Sequence, residues 1–265
     1  MSAVHCWSKS MACCSLSAVE KSACEVAVIV DVDMGNTRVK WRATQDNQVR
    51  GQGAHGTFGE AVSAISTLGS PERIRLSSVA NDNLTHDVEA AARRWGCGLQ
   101  VAHTTKSAGG VTCGYERPES MGVDRWLALI AAWQQYQCAC VVVDAGSAVT
   151  IDVLDSRGQH RGGYIVPGMV MMRNSLLGGT AKIHVSDEIR RDITPGLSTQ
   201  EAIDHGMLFM LRAFVDVVHE ELSVREVNAK IIVTGGDGEL LLPLKSPEAA
   251  YHRDLVMDGL AVIFP

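Results

Sequence analysis

From Val26 onward the chain alternates short β-branched apolar runs with stretches whose apolar positions recur at helical spacing. That alternation is the signature of an α/β architecture. The first series predicts strands over 26–32, 37–43, 48–53 and 73–79, with helices over 58–68 and 82–95. The first three strands lie close enough together to form a meander with tight turns. A second series opens at 139–144 (ACVVVD), continues with strands over 148–154 and 160–166 and helices over 168–178 and 199–222, and closes with a strand over 229–234 (AKIIVT) and an amphipathic helix over 254–263.

The two series begin alike. Asp33-Met34-Gly35-Asn36-Thr37 follows the first strand, and Asp144-Ala145-Gly146-Ser147-Ala148 follows the strand that opens the second series. Each places an Asp at a strand end, then a Gly, then a hydroxyl or amide residue before the next strand. The arrangement implies duplicated lobes facing each other across a cleft. The polar stretch 134–137 marks the expected boundary, giving an N-terminal lobe over 26–136 and a C-terminal lobe over 137–265.

Length agrees with two lobes, since 265 residues exceed the usual single compact domain. With 46% hydrophobic and 20% charged residues, the chain can bury a real core, which excludes disorder, collagen and coiled coil. A formal charge of −6 without a Lys or Arg run argues against a phosphate-backbone binder, so no nucleic acid is expected as a partner. No stretch reaches the roughly 18 uninterrupted apolar residues that cross a bilayer, so no membrane is expected either. Four of the eight cysteines (Cys6, Cys13, Cys14, Cys24) fall within the first 24 residues and the others are scattered, which is no disulfide framework. Without a CxxC pair, a metal site at Cys13, Cys14 and Cys24 is disfavoured. Residues 1–25 read as a loosely ordered leader with no sustained apolar region before a cleavage site. A reduced, cytoplasmic protein is the expectation.

A turn with Gly followed by Asn/Thr or Ser presents backbone N–H groups and hydroxyls suited to phosphate oxygens, and a nearby carboxylate can hold Mg²⁺ directly or through water. One D-x-G turn is also an ordinary hairpin turn; two in corresponding positions are more telling. The second is extended as DAGSAVTID, in which Thr150 and Asp152 share a strand face with Ala148. A third turn, Thr234-Gly235-Gly236-Asp237, follows a strand and leads toward a helix, an arrangement that can lie against a nucleotide. No Walker loop and no protein-kinase motif set is present. Two phosphate turns and a late adenosine turn on duplicated lobes resemble the acetate and sugar kinase, Hsp70 and actin superfamily, which implies two ribonuclease H-like lobes with an interlobe cleft.

Gly114-Tyr115-Glu116-Arg117-Pro118 reads as an extended or turn segment, because the residue before Pro is pushed out of the helical region. Met121-Gly122-Val123-Asp124-Arg125 then leads into a helix whose Val123, Trp126 or Leu127, Ile130 and Trp133 share one face, with Asp124 and Arg125 in the first turn. There the helix dipole favours an ionised carboxylate. Such a pair suits taking a proton from a substrate hydroxyl while clamping an anionic group. It equally suits an Asp that merely supports its helix beside an Arg paired to a surface acid.

With this segment in place, the chain from Val26 to its C-terminus resembles the type III pantothenate kinase family, also called Bvg accessory factor. The resemblance rests on DMGNTRVKW (33–41), GYERPESMGVDR (114–125), DAGSAVTID (144–152), GGYIVPGMVMM (162–172), LSTQEAI (197–203) and TGGD (234–237). It implies ATP-dependent phosphorylation of pantothenate, the first step of coenzyme A synthesis, a homodimer, and a monovalent cation such as K⁺ or NH₄⁺. By motif, Asp124 would be the catalytic base. Tyr115, Gly122, Arg125 and Thr199 would line the pantothenate site. Asp33 would organise Mg²⁺, with Gly35, Asn36, Thr37 and Lys40 near the ATP phosphates. Gly146, Ser147 and Ala148 would form the second phosphate loop, Gly235 and Gly236 the adenosine turn, and Asp144 the monovalent-cation ligand.

Ser147 stands where the family usually has Thr, and Met121 replaces a common Leu; neither threatens the chemistry. Asp152 and Asp237 are second-rank sites that can simply orient turns. Met169, Met172 and Leu176 share a helix face and read as core or dimer packing. None of the nine histidines shows ligand spacing, so none is given a catalytic role. Two alternatives remain: a different small-molecule kinase on the same fold, and a non-enzymatic regulatory accessory protein.

Overall fold

The computed structural model describes residues 28–79, 82–179, 186, 188–242, 244–246 and 248–265. The expected leader over 1–25, with its four cysteines, lies outside them. The first sheet comprises β1 (Ile29–Met34), β2 (Val39–Gln45), β3 (Gln48–His55), β4 (Arg73–Ser78) and β5 (Gly98–Val101), with α1 (Phe58–Ser66) and α2 (Asp82–Trp95) in the crossovers. A small hairpin, β6 (Ser107–Ala108) and β7 (Val111–Thr112), and a 3₁₀ turn over Pro118–Ser120 lead into α3 (Val123–Tyr136). The second sheet is built from β8 (Cys140–Ala145), β9 (Ala148–Leu154), β10 (His160–Pro167), β11 (Lys230–Thr234) and β12 (Ala250–Tyr251). Its helices are α4 (Met169–Gly178), α5 (Thr199–Ser223), the short α6 (Gly238–Leu241) and α7 (Leu255–Ile263).

The sheets trace the same path, in the orders β3-β2-β1-β4-β5 and β10-β9-β8-β11-β12. In each, the first three strands are antiparallel neighbours and the last two join in parallel. The fold is therefore a duplicated α/β unit, and the meander expected over the first three strands is present in both halves. Asp46 and Asn47, both at positive φ (52° and 58°), make the β2–β3 turn, the geometry that matches the twist of a two-residue hairpin. A capping box starts α1: Thr57 Oγ1 accepts from the Glu60 amide and the Glu60 carboxylate from the Thr57 amide. Strands β5 and β12 were not foreseen, being short and without clear alternation.

Helices α3 and α7 lie against each other between the sheets. Consequently α3 is buried from Arg125 to Ala132 on every side, as expected for a helix apolar all round and unlike the one-faced helix its spacing suggested. It contacts β4 of one sheet and β8 and β9 of the other. The approach to α7 is close at Gly259, where a Cβ would overlap the Leu127 carbonyl. Residues 134–136, expected as a connection, are the last turn of α3, which stops at Gln137 in the left-handed region (φ 48°). On the outer faces, α1 and α2 cover the first sheet and α5 the second. Met169 joins that second core, whereas Leu176 is exposed, so the face expected for Met169, Met172 and Leu176 is only partly buried.

Strand β1 sends Val30, Val32 and Met34 into the outer core and Asp31 and Asp33 to the opposite face, as period-two alternation requires. That second face is interior at Asp31, which is wholly buried. Its carboxylate accepts from Arg42 Nη2 (3.0 Å) and Arg75 Nε (2.6 Å). Arg42 continues to Asp258 of α7 (2.6 Å), and Arg75 donates to the Phe264 carbonyl (2.9 Å). Two buried guanidinium groups on one carboxylate thus tie the first sheet to the C-terminal helix. The cysteines at 97, 113, 138 and 140 are unpaired, and no described helix is long and apolar enough to cross a membrane.

Removing one partner from a buried charge cluster strands the others without solvent. Asp31→Ala is therefore expected to cost roughly 3–5 kcal/mol in urea denaturation, whereas Asp258→Ala, at a partly exposed carboxylate, should cost about 1 kcal/mol or less. Equal losses would contradict this view of the interlobe tie.

Candidate active site

The two Asp-x-Gly turns meet. Ser147 Oγ donates to Thr37 Oγ1 at 2.8 Å, joining residues from opposite sheets at the C-terminal ends of their central strands. The turns are built the same way: the Gly35 amide bonds the Arg38 carbonyl (3.1 Å) and the Gly146 amide the Ala148 carbonyl (3.0 Å). Asn36, Thr37 and Ser147 are exposed at the tips. Gly168, before α4, donates to the Ser147 carbonyl (2.9 Å), and a Cβ there would overlap the Gly146 carbonyl. The third turn closes on the same place. Gly235 (φ 92°) leaves no room for a Cβ against the Ala145 carbonyl and the Asp144 carboxylate, and the Asp237 amide bonds the Ala145 carbonyl (2.9 Å). Gly236 is exposed beside it.

Around these turns stands a surplus of carboxylates. Asp33, near the end of β1, accepts from Ser77 Oγ (3.0 Å) and faces Lys40 across the β1–β2 pair. Burial pushes its carboxyl up to about 7, helped by Asp124 and Asp144 and opposed by Lys40. Asp144, near the end of β8, is pushed up to about 6 by burial, with Asp124 and Asp152 adding to the rise and Lys40 again opposing it. Asp124 is also raised by burial, and the amide and guanidinium of Arg125 pull it back. One lysine thus serves neighbouring carboxylates from both sheets. An added cation would offset the remaining charge. Among the described residues no three His, Cys, Asp or Glu side chains are close enough to hold a metal ion alone, so a divalent ion here would draw most of its ligands from phosphate and water.

Asp124 sits in the first turn of α3, its Oδ1 accepting from the Arg125 amide (2.8 Å). Gly122, the residue before the helix, would carry a Cβ 2.6 Å from that oxygen, so glycine there keeps the carboxylate clear. Arg125 is nearly fully buried and is not paired to a surface acid. Its Nε and Nη2 donate to the two oxygens of buried Asp152 (2.8 and 2.6 Å), and Nη1 donates to Tyr115 Oη (3.0 Å). The guanidinium is therefore largely neutralised where it stands. What it and the Tyr115 hydroxyl still offer are N–H and O–H donors, suited to a carboxylate or carbonyl oxygen.

Sequence reasoning ranked Asp152 second and passed over His160. The structure puts both at the centre: His160, wholly buried, bonds Asp152 Oδ1 through Nε2 (2.9 Å) and stacks on Tyr115 with ring centroids 5.9 Å apart. No spacing signal marks His160, because its partner is on the neighbouring strand across an irregular register. Thr199 is exposed in the first turn of α5, after the capping Ser198. Among the described residues no hydrogen bond or ion pair joins it to Tyr115 or Arg125.

The family model for type III pantothenate kinase matches residues 29–221. The type III pantothenate kinase of Chromohalobacter salexigens is 37% identical over 246 residues, covering 90% of this chain and 88% of that protein. That of Alcanivorax borkumensis is 37% identical over 238 residues, covering 86% and 95%. Among solved structures, a putative Baf family transcriptional activator from Campylobacter jejuni superposes with a TM-score of 0.59 at 20% identity, covering 88% of this chain and 96% of that one. The ethanolamine utilization protein EutJ of Carboxydothermus hydrogenoformans gives 0.50 at 16%, covering 88% and 89%. These two likenesses concern the fold.

Gly163 leaves the room that the Arg125–Asp152 pair occupies: a Cβ there would overlap the Asp152 carboxylate and stand 3.0 Å from Arg125 Nη2. Gly163→Ala is expected to cost about 1–3 kcal/mol in denaturant titration through overpacking. Gly236→Ala, whose Cβ meets open space, should stay within about 0.5 kcal/mol of wild type. A neutral Gly163→Ala would show that the pair is not confined as described.

Proposed function

The chain belongs to the type III pantothenate kinase family, and we infer from that membership and its cleft that it transfers the terminal phosphoryl group of ATP to pantothenate. This reaction opens coenzyme A synthesis. The observation that carries the reading is the Thr37–Ser147 bond: it sets two phosphate-type turns side by side while Asp124 lies within electrostatic reach of Asp33 and Asp144. Phosphoryl transfer needs little covalent help from protein and much positioning and charge neutralisation.

In this reading residues 26–136 and 137–265 are the two lobes, and the exposed amides and hydroxyls of Gly35, Asn36, Thr37, Gly146, Ser147 and Ala148 receive the ATP phosphates. Lys40 adds a positive charge, and Gly235 and Gly236 lie along the adenosine. Tyr115 and Arg125 direct their donors at the polar oxygens of pantothenate, beside the backbone of Gly122. Asp124 accepts the proton of the hydroxyl under attack. Mg²⁺, held toward Asp33, supplies charge neutralisation of the phosphates when bound, and a monovalent cation, K⁺ or NH₄⁺, belongs near Asp144. The raised Asp33 and Asp144 fit both ions, since each marks a buried carboxylate whose burial Lys40 only partly offsets.

A homodimer is also part of the proposal, in a cytoplasmic protein. Its support is an apolar surface on adjoining elements of the second lobe: Ile165 of β10, Val170 and Met171 of α4, and Phe209 and Met210 of α5 are all at least half exposed. A patch of that kind is a usual mark of an association surface. The exposed Thr199 begins the same helix α5, and in this reading it contributes to the pantothenate site.

An ADP-release assay with ATP, Mg²⁺ and pantothenate is expected to show pantothenate-dependent turnover that requires K⁺ or NH₄⁺ over Na⁺. No turnover in any of these salts would end the kinase reading; equal turnover in Na⁺ would end the cation assignment. Asp124→Asn should lower kcat by about 10²–10⁴, the usual contribution of general base catalysis, and a kcat near wild type would remove Asp124 from that role. A base works only when ionised, so kcat falls as pH drops through its pKa. Because burial raises Asp124, that loss should begin at higher pH than for a solvent-exposed aspartate, as a kcat–pH profile would show.

A further inference from the structure

Tyr115, Arg125, Asp152 and His160 form a closed circuit. Arg125 Nη1 donates to Tyr115 Oη (3.0 Å), its Nε and Nη2 grip Asp152 (2.8 and 2.6 Å), Asp152 bonds His160 Nε2 (2.9 Å), and the His160 ring stacks on Tyr115 at an interplanar angle of 18°. The four residues come from three separate places: the segment before the 3₁₀ turn, α3, and the adjacent strands β9 and β10. Two glycines keep the circuit uncrowded. Gly163 spares the space of the ion pair, and at Gly114 a Cβ would overlap the His160 carbonyl.

Each contact constrains the next. Asp152 accepts two bonds from Arg125 through a planar fork, which fixes the guanidinium plane. The carboxylate could still rotate about its own Cβ–Cγ bond, and the His160 bond on Oδ1 opposes that rotation. His160 is in turn held by stacking, and among the described residues its Nδ1 has no hydrogen-bond partner, so in the contact with the accepting Asp152 carboxylate Nε2 is taken as the protonated nitrogen. We propose that His160 is a positioning residue for Arg125: through Asp152 it holds the guanidinium, and by stacking it holds the Tyr115 hydroxyl, in the orientation that receives the polar head of the substrate. The inference rests on the reading above that Tyr115 and Arg125 contact pantothenate. It extends that reading to a residue that touches neither nucleotide nor the attacked hydroxyl.

The chemistry of the two amide side chains provides the test. In His160→Gln the amide nitrogen can stand near the Nε2 position and still donate to Asp152, whereas in His160→Asn it is too short to reach. Steady-state kinetics should show the pantothenate KM of His160→Asn raised about tenfold or more, with the ATP KM within twofold of wild type. His160→Gln should recover most of the pantothenate KM. Combining His160→Asn with Asp152→Asn should add little to the Asp152→Asn effect, because both act along one chain of contacts. A pantothenate KM within twofold of wild type in His160→Asn, parallel rises for both substrates, or fully additive effects would overturn the proposal.

A second readout does not depend on turnover. In ¹⁵N NMR spectra the Arg125 Nε–H, buried against Asp152, should be visible and slow to exchange in wild type and His160→Gln, and fast-exchanging in His160→Asn. If wild type fails to phosphorylate pantothenate but this pattern holds, the substrate reading falls while the positioning role stands. Identical Arg125 signals in all three proteins would refute the positioning role, whatever the substrate.

Discussion

The contact between α3 and α7 is the constraint on which the rest of the molecule depends. Both helices are shared property: each closes a face of a sheet and each touches the other across a spacing so small that Gly259 must lack a side chain where it meets the Leu127 backbone. Close packing of this kind transmits position with little give. With α3 fixed along its whole length, its first turn is fixed too, and that turn carries Asp124 and Arg125. The chemistry of the cleft is thus anchored by an apolar helix pair that itself does nothing chemical.

A second consequence concerns where charge is placed. In each sheet, alternation gives one face to an ordinary hydrophobic core and the other to the middle layer of the molecule. On that inner face β1 carries Asp31 and Asp33 and β9 carries Asp152. Asp31 and Asp152 meet bidentate or doubled guanidinium partners and become fixed struts. Among the described residues Asp33 and Asp144, one on each sheet, share Lys40 as their cation and stay undercompensated. The two kinds of carboxylate differ in the cations within reach, and the undercompensated pair stands beside the two Asp-x-Gly turns.

Much of this was legible in the chain. The duplicated Asp-x-Gly turns, the two similar series of strands and helices, and the helix start at Val123 all rest on local signals: β-branched runs, glycine turns, a proline, and apolar spacing. Such signals survive because each is set by residues a few positions apart. The short strands β5 and β12 were missed because they take their pairing from neighbours already laid down. His160 was missed for a related reason: a lone histidine on a strand gives no hint that a carboxylate stands beside it on the next strand and a tyrosine ring beneath it.

By itself, then, the sequence determined the α/β class, the duplication, the turns that suit phosphate and the family to which the chain belongs. Only the tertiary structure decided that α3 is buried on all sides, that Arg125 is already held by Asp152, and that Thr37 and Ser147 touch. The reason is distance along the chain. Periodicity and turn chemistry act over a few residues, whereas these contacts join positions tens to more than a hundred residues apart, and they exist only once two sheets and two helices have closed on one another.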